Sequence, residues 1–148
     1  MTLKPLPFSL LHKANAIIGK AYSELTMPPQ YTLERGLETL REGYAYKTVA
    51  VYLDDFQDPK HCLSLMLLPQ GTLFAGPLVV CMLIYSTPEE RTPENLDQLH
   101  LTLDSYAKIH KAGAISGSSW EYKDSRGIAP MWKARGYEKQ ETTYVKFL

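Results

Sequence analysis

Apolar positions recur along this chain at two different periods, and the elements change where the period changes. Leu10, Ala14, Ile17, Ile18, Ala21 and Leu25 fall at three- and four-residue steps, the stripe of an amphipathic helix, with Ser9 as a side-chain cap at its start. Met27, Pro28 and Pro29 break it. A second helix is predicted from Thr32, with Leu33, Leu37 and Leu40 as its stripe and Gly43 at its C-terminal end. Two amphipathic helices without strands of their own need a sheet to lie on.

The pattern then shortens to the period of strands. Residues 47–53 alternate, with Val49 and Val51 on one side, and residues 61–68 form a second strand after a turn at 54–59. Residues 78–86 are apolar at nearly every position, which predicts a central strand covered on both faces. A polar linker, 87–91, leads to the best helix of the chain. Thr92 is its N-cap and Pro93 its first residue; Leu96, Leu99, Leu103 and Tyr106 form its buried face, and Gly113 ends it. A strand at Ile115 then implies a parallel crossover.

The last third, 114–148, reads as strand, short helix, glycine turn, strand. Trp120 and Tyr122 alternate on one side of a strand over 115–122. Ser116, Gly117, Ser118 and Ser119 are small, as where something packs closely against a strand. Asp124 and Ser125 can cap a helix starting near Arg126, which carries Ile128, Met131 and Trp132 on one face and tolerates Pro130 in its first turn. Gly136 supplies a left-handed turn after Lys133 and Arg135, and Thr143, Val145 and Phe147 share one face of a closing strand over 138–148.

Composition narrows the function classes. The 148 residues predict a single domain, and 45% hydrophobic with 22% charged content is ordinary for a globular core. Sixteen basic residues balance sixteen acidic ones, which gives no support to nucleic-acid binding. The two cysteines, Cys62 and Cys81, lie in apolar strand-like runs and read as buried free thiols. The acidic pair Asp54 and Asp55 lacks the spacing of a calcium loop, and His100 and His110 fall on different faces of one helix, so no metal site is expected. Ser116 lacks the spacing of a nucleophile elbow. The longest apolar run is too short to span a bilayer, and a cytoplasmic, reducing setting is the expectation.

The segment from Ser125 through Trp132 to Gly136, Tyr137 and Glu138 resembles the tail motif of the GNAT acetyltransferases, in which an Asn-led helix carries a Tyr and ends in Gly-Phe-Glu. Small phage-encoded proteins of that fold have similar endings. The resemblance implies an α/β (α+β) fold: a mixed central sheet, helices on both faces, and two splayed central parallel strands. The predicted element order agrees, apart from a first strand that is weak or absent.

It also implies acetyl-CoA as cofactor, its pantetheine arm between the strands at 78–86 and 115–120. Ile84, Tyr85, Ser118 and Trp120 would wall that cleft. In the family a Gln/Arg-x-x-Gly-x-Gly/Ala loop presents backbone N–H groups to the pyrophosphate. Here Arg91 stands at its first position, but Glu94 and Leu96 replace the glycines, Pro88 and Pro93 remove donors, and Glu89 and Glu90 add negative charge. Trp132 replaces the tyrosine that protonates the departing thiolate, and indole cannot transfer that proton. Ser125 replaces the leading Asn. Tyr85, Tyr122 and Tyr137 are the phenols that could substitute; Ile84, Tyr85, Arg91 and Ser125 are the candidate cofactor contacts. These departures predict a non-catalytic module that binds a protein partner, with a virion or host-directed role if phage-encoded, and neither nucleic acid nor membrane. The alternative is an active N-acetyltransferase acting on a small-molecule or protein amine.

Overall fold

The strand predicted to be covered on both faces, β4 (Leu78–Ser86), lies inside the sheet, and its side chains divide between two cores. The computed structural model describes residues 1–24, 29–69, 76–118, 128–140 and 146. Its sheet has the order β1 (Lys4–Pro5), β2 (Val49–Leu53), β3 (His61–Leu68), β4, β5 (Ala114–Gly117). The first three pairings are antiparallel and β4–β5 is parallel, as the crossover through α3 (Pro93–Ile109) requires.

One face of the sheet carries a 3-10 helix (Phe8–Ala14), α1 (Asn15–Glu24) and α2 (Leu33–Ala45). Ala14, Ile17, Ile18 and Ala21 bury there against Val49, Val51, Leu53 and Cys62. The other face carries α3 and α4 (Ile128–Ala134), where Leu99, Leu103, Tyr106 and Trp132 meet Leu63, Leu65, Val79 and Cys81. Alternation along β3 sends successive residues to opposite cores. A mixed sheet with helices on both faces is therefore observed as expected.

Four local expectations need correction. The first strand exists: β1 pairs Lys4 with Leu53, Leu6 is buried, and its N–H donates to Val51 O at 2.8 Å. Ser9 does not cap the first helix, which starts after Pro7 with no side-chain cap. Gly43 lies inside α2 rather than past its end. Its role is close approach: a Cβ there would sit 2.1 Å from Val49 Cγ2, so the glycine lets β2 press on the helix. Nor does Gly113 end α3, which stops at Ile109; Lys111 takes the left-handed turn at φ 52°, and the Gly113 N–H donates to Pro77 O at 2.8 Å.

The cap at Thr92 is as predicted, with Pro93 opening α3, and Thr32, the predicted start of the second helix, proves to cap α2. Pro130 falls in the first turn of α4, and Gly136 turns at φ 85°. The strand predicted over 115–122 is described as Ala114–Gly117; Trp120, Tyr122 and Ser125 lie outside the described residues. So does most of the closing strand, of which Glu138, Lys139 and Gln140 hold no regular structure.

Candidate functional site

β4 and β5 pair only from Leu78–Ala114 to Cys81–Gly117, while β4 runs on to Ser86. Beyond Cys81, β4 has its ladder on the β3 side alone among the described residues. A bulge sits at that point. Leu65 pairs with Cys81 and Ser64 with Leu83, which leaves Met82 as the extra residue. The bulge reverses the alternation. Val79 and Cys81 face α3; Met82 and Leu83 both face the α1/α2 layer; Ile84 faces α3 again and Tyr85 the other side. Ile84 and Tyr85, predicted to share a cleft wall, thus lie on opposite faces of the sheet.

Trp132 fills the space beside the last paired residues. Its ring lies on Gly117, where a Cβ would be 2.4 Å from Cζ2, and its Nε1–H donates to Ser118 O at 3.2 Å. The smallness of this strand thus has its predicted cause at Gly117. Tyr137, after the Gly136 turn, packs on the indole at a 57° tilt with ring centroids 4.7 Å apart, and His100 of α3 meets it edge-on at 5.4 Å. The Tyr137 hydroxyl is buried and has no hydrogen-bond partner among the described residues. Burial pushes it up to about 12, and Asp104 and the Cys81 thiol add to the rise, so it stays protonated at neutral pH.

His100 is held neutral. Burial, then the Arg135 charge, push its imidazole down to about 4, against opposing pulls from Asp104 and Asp97. The unfolded chain would bind a proton near 6.5. Stability contributed by the neutral ring is therefore complete above that value and is lost as pH falls toward about 4. Thermal melts across this interval should show a loss of up to about 3 kcal/mol. His100→Phe, which keeps a ring against Trp132, should remove most of that slope; an unchanged slope would assign the acid sensitivity elsewhere.

At the far end of β4 three predicted and unpredicted residues meet. Tyr85 Oη donates to Glu24 Oε1 at 2.6 Å, and Arg91 Nη2 pairs with Glu24 Oε2. Arg91 Nε also donates to Ser86 O at 3.0 Å, and its guanidinium lies over the Tyr85 ring. Burial pushes the Glu24 carboxyl up, but hydrogen bonds from Tyr85 and Arg91 outweigh this and leave it lowered. Burial and the Glu24 carboxylate push Tyr85 up to about 12. Behind them the buried His61 holds Ser86 Oγ at 2.8 Å through Nδ1, with Nε2 4.0 Å from Glu90 Oε2. Asp54 accepts from the backbone of Lys60 and His61, and Asp55 from Gln57 and Asp58, so these carboxylates brace a turn.

The β4–α3 loop is bonded to itself and to the turn before β3. Thr87 N–H donates to Lys60 O, Glu90 to Thr87 O, Arg91 to Pro88 O and Thr92 to Glu90 O. Pro88–Glu90 form one 3-10 turn. Asn95 Nδ2 donates to Glu90 O at 2.9 Å. The amides that a phosphate would need are largely committed inside the loop.

On the other side of the sheet, the bulge borders a cleft of about 360 Å³ between α1, α2 and strands β3 and β4. Ile18, Tyr22, Leu40, Ser64, Met82 and Leu83 line it with residues from the start of α2. Ser64 is 2% exposed, and its hydroxyl has no partner among the described residues. The sequence reading missed Glu24, Ser64 and the bulge. Ser64 had a signal, a hydroxyl inside an apolar strand run; the bulge had none, because a strand apolar on both faces hides a change of alternation. Both thiols are free and buried, and burial pushes each up to about 12. No group of side chains that could hold a metal occurs among the described residues.

Comparison with solved structures places this architecture. A predicted acetyltransferase from Clostridium acetobutylicum, solved with acetyl-CoA, superposes with a TM-score of 0.76 at 12% identity, over 99% of this chain and 95% of that one. The fold is that of the GNAT acetyltransferases. A GCN5-related N-acetyltransferase from Ralstonia eutropha JMP134 gives 0.75 at 12% identity, over 98% and 97% of the two chains. A ribosomal-protein-alanine N-acetyltransferase from Brucella melitensis biovar Abortus 2308 gives 0.72 at 12%, over 100% of both. No family model and no curated protein matches the chain. Among the described residues, no helix of this GNAT-fold protein is long and apolar enough to cross a membrane.

Proposed function

We propose that this chain is an N-acetyltransferase that moves the acetyl group of acetyl-CoA to an amine. The observation that carries the reading is the bulge at Met82, next to Cys81, which is in the last β4–β5 pair among the described residues, together with a cleft on the α1/α2 face of β4. A donor can enter from one side and an acceptor from the other. The full-length likeness to acetyltransferases supports it, one of them solved with acetyl-CoA.

Acetyl-CoA would supply an activated acyl carbon. The amine nitrogen forms the new C–N bond, the C–S bond breaks, the thiolate takes a proton, and the nitrogen loses one. Tyr137 is the described phenol best placed as the proton source. It abuts Trp132, which occupies the family's tyrosine position, and it keeps its proton at neutral pH. Tyr85 is committed to Glu24.

The residues fit the two halves of the donor unequally. The pantetheine half would lie along β4 beyond Cys81, past the last described β4–β5 pair. The diphosphate half meets bonded amides and the carboxylates of Glu89, Glu90 and Glu94, with Arg91 held by Glu24. Calorimetric titration should therefore find S-acetylpantetheine, which lacks the diphosphate, within about threefold of acetyl-CoA in affinity, since fixed negative charge offsets what Arg91 adds. Glu24→Gln, which releases Arg91, should tighten acetyl-CoA alone. Absence of heat with either ligand at millimolar concentration would sink the donor site. That outcome would favour the second reading, a protein-binding module without acetyl transfer, which the self-bonded acidic loop supports. A phage or virion setting rests on the similarity of the ending alone and is not part of either reading.

A further inference from the structure

We propose that the cleft between α1, α2 and the bulged strands takes a small monoamine with an apolar body, inserted amine first, and that Ser64 positions its nitrogen. The reaction part rests on the acetyl-transfer reading; the binding part does not.

Ser64 lies opposite Leu83, next to the bulged Met82, in a strand run that is otherwise apolar from Cys62 to Leu68. It is 2% exposed, lines the cleft, and its hydroxyl is unpartnered among the described residues. Buried hydroxyls are almost always paired, and an unpaired one lowers stability. A hydroxyl left this way at the floor of a cleft is explained by a ligand group that completes it. Ser64 Oγ can accept an amine N–H and so fix the direction of the nitrogen lone pair.

The walls define the rest of the ligand. Ile18, Leu40 and Met82 are apolar. Tyr22 lays its ring along the wall because Gly36 makes room; a Cβ at Gly36 would be 2.4 Å from the Tyr22 hydroxyl. The volume of about 360 Å³ lies at the small end of ligand pockets, enough for one ring and a short chain. Arg35 is the one charged residue among the described lining residues, and Glu38 pairs with it at 2.9 Å. No carboxylate is among those lining residues to receive a second ammonium. A monoamine that enters as the neutral amine, with an aromatic or alkyl body, buries apolar surface and no charge; a polyamine would carry a further ammonium into the cleft without a partner, which is strongly unfavourable.

Phenethylamine and spermidine are the probes, titrated against the full chain by calorimetry with no acyl donor present. Phenethylamine should bind at least tenfold tighter than spermidine. Ser64→Ala should weaken phenethylamine about tenfold while raising Tm by about 4 °C, because it removes an unpaired buried hydroxyl. Those opposite signs separate ligand positioning from a structural role, in which binding and Tm would fall together. Equal affinity for spermidine, an unchanged phenethylamine affinity in the variant, or tighter binding of a tetrapeptide N-terminus would each overturn the proposal, whether or not acetyl transfer stands. Phenethylamine that binds as stated but is never acetylated with acetyl-CoA present would leave this site intact and remove the transfer reading.

Discussion

Gly117→Ala is expected to destabilise the domain by about 2–4 kcal/mol, a large effect for one methyl group. The added carbon would sit 2.4 Å from Trp132 Cζ2, 2.5 Å from Cε2 and 2.7 Å from Cη2. The indole has little freedom to move. It is 6% exposed, tied to Ser118 O by its N–H, and packed edge-on by His100 and at a tilt by Tyr137. Displacement would break that hydrogen bond and loosen β5 and α4 together. Urea melts followed by tryptophan fluorescence would measure it. Trp132→Phe in the same background should recover part of the loss, since the benzo ring meets the new methyl; the shortfall from additivity in a double-mutant cycle reports the contact. Strictly additive losses would show that Gly117 matters for something other than Trp132.

Tyr137→Phe is expected to lower kcat by at least tenfold and leave KM within about twofold, the pattern of a group that acts only when the thiolate departs. Stability should hold or rise slightly, because the hydroxyl is buried without a partner. This separates it from Tyr85→Phe, which strips Glu24 of one donor and should show mainly in stability. An unaltered kcat in Tyr137→Phe would withdraw it as the acid and turn attention to Tyr122, outside the described residues.

The same contrast runs through the fold. Periodicity determined the helices from Thr32 and Thr92, the strands that became β2, β3 and β4, and the tail of short helix and glycine turn, because each depends on which residues a single element can bury. Helix ends were legible where a side chain caps its own backbone, as at Thr92, and illegible where the far partner decides. Gly43 has the look of a C-terminal glycine, yet Val49 of β2 is the reason it cannot carry a Cβ. The weak first strand was hidden for a similar cause: Lys4 and Pro5 have no strand pattern, and only pairing with β2 defines them.

The site divides along the same line. By itself the sequence determined that the phosphate loop lacks glycines and that an indole stands at the tyrosine position, since both are questions of residue type at a spacing. Only the tertiary structure decided that Arg91 is held by Glu24, that Ile84 and Tyr85 face opposite ways, and that Ser64 and Tyr137 keep buried hydroxyls without partners. These are contacts between groups distant in the chain, and one extra residue at Met82, invisible in an all-apolar strand, sets which face of the sheet the end of β4 presents.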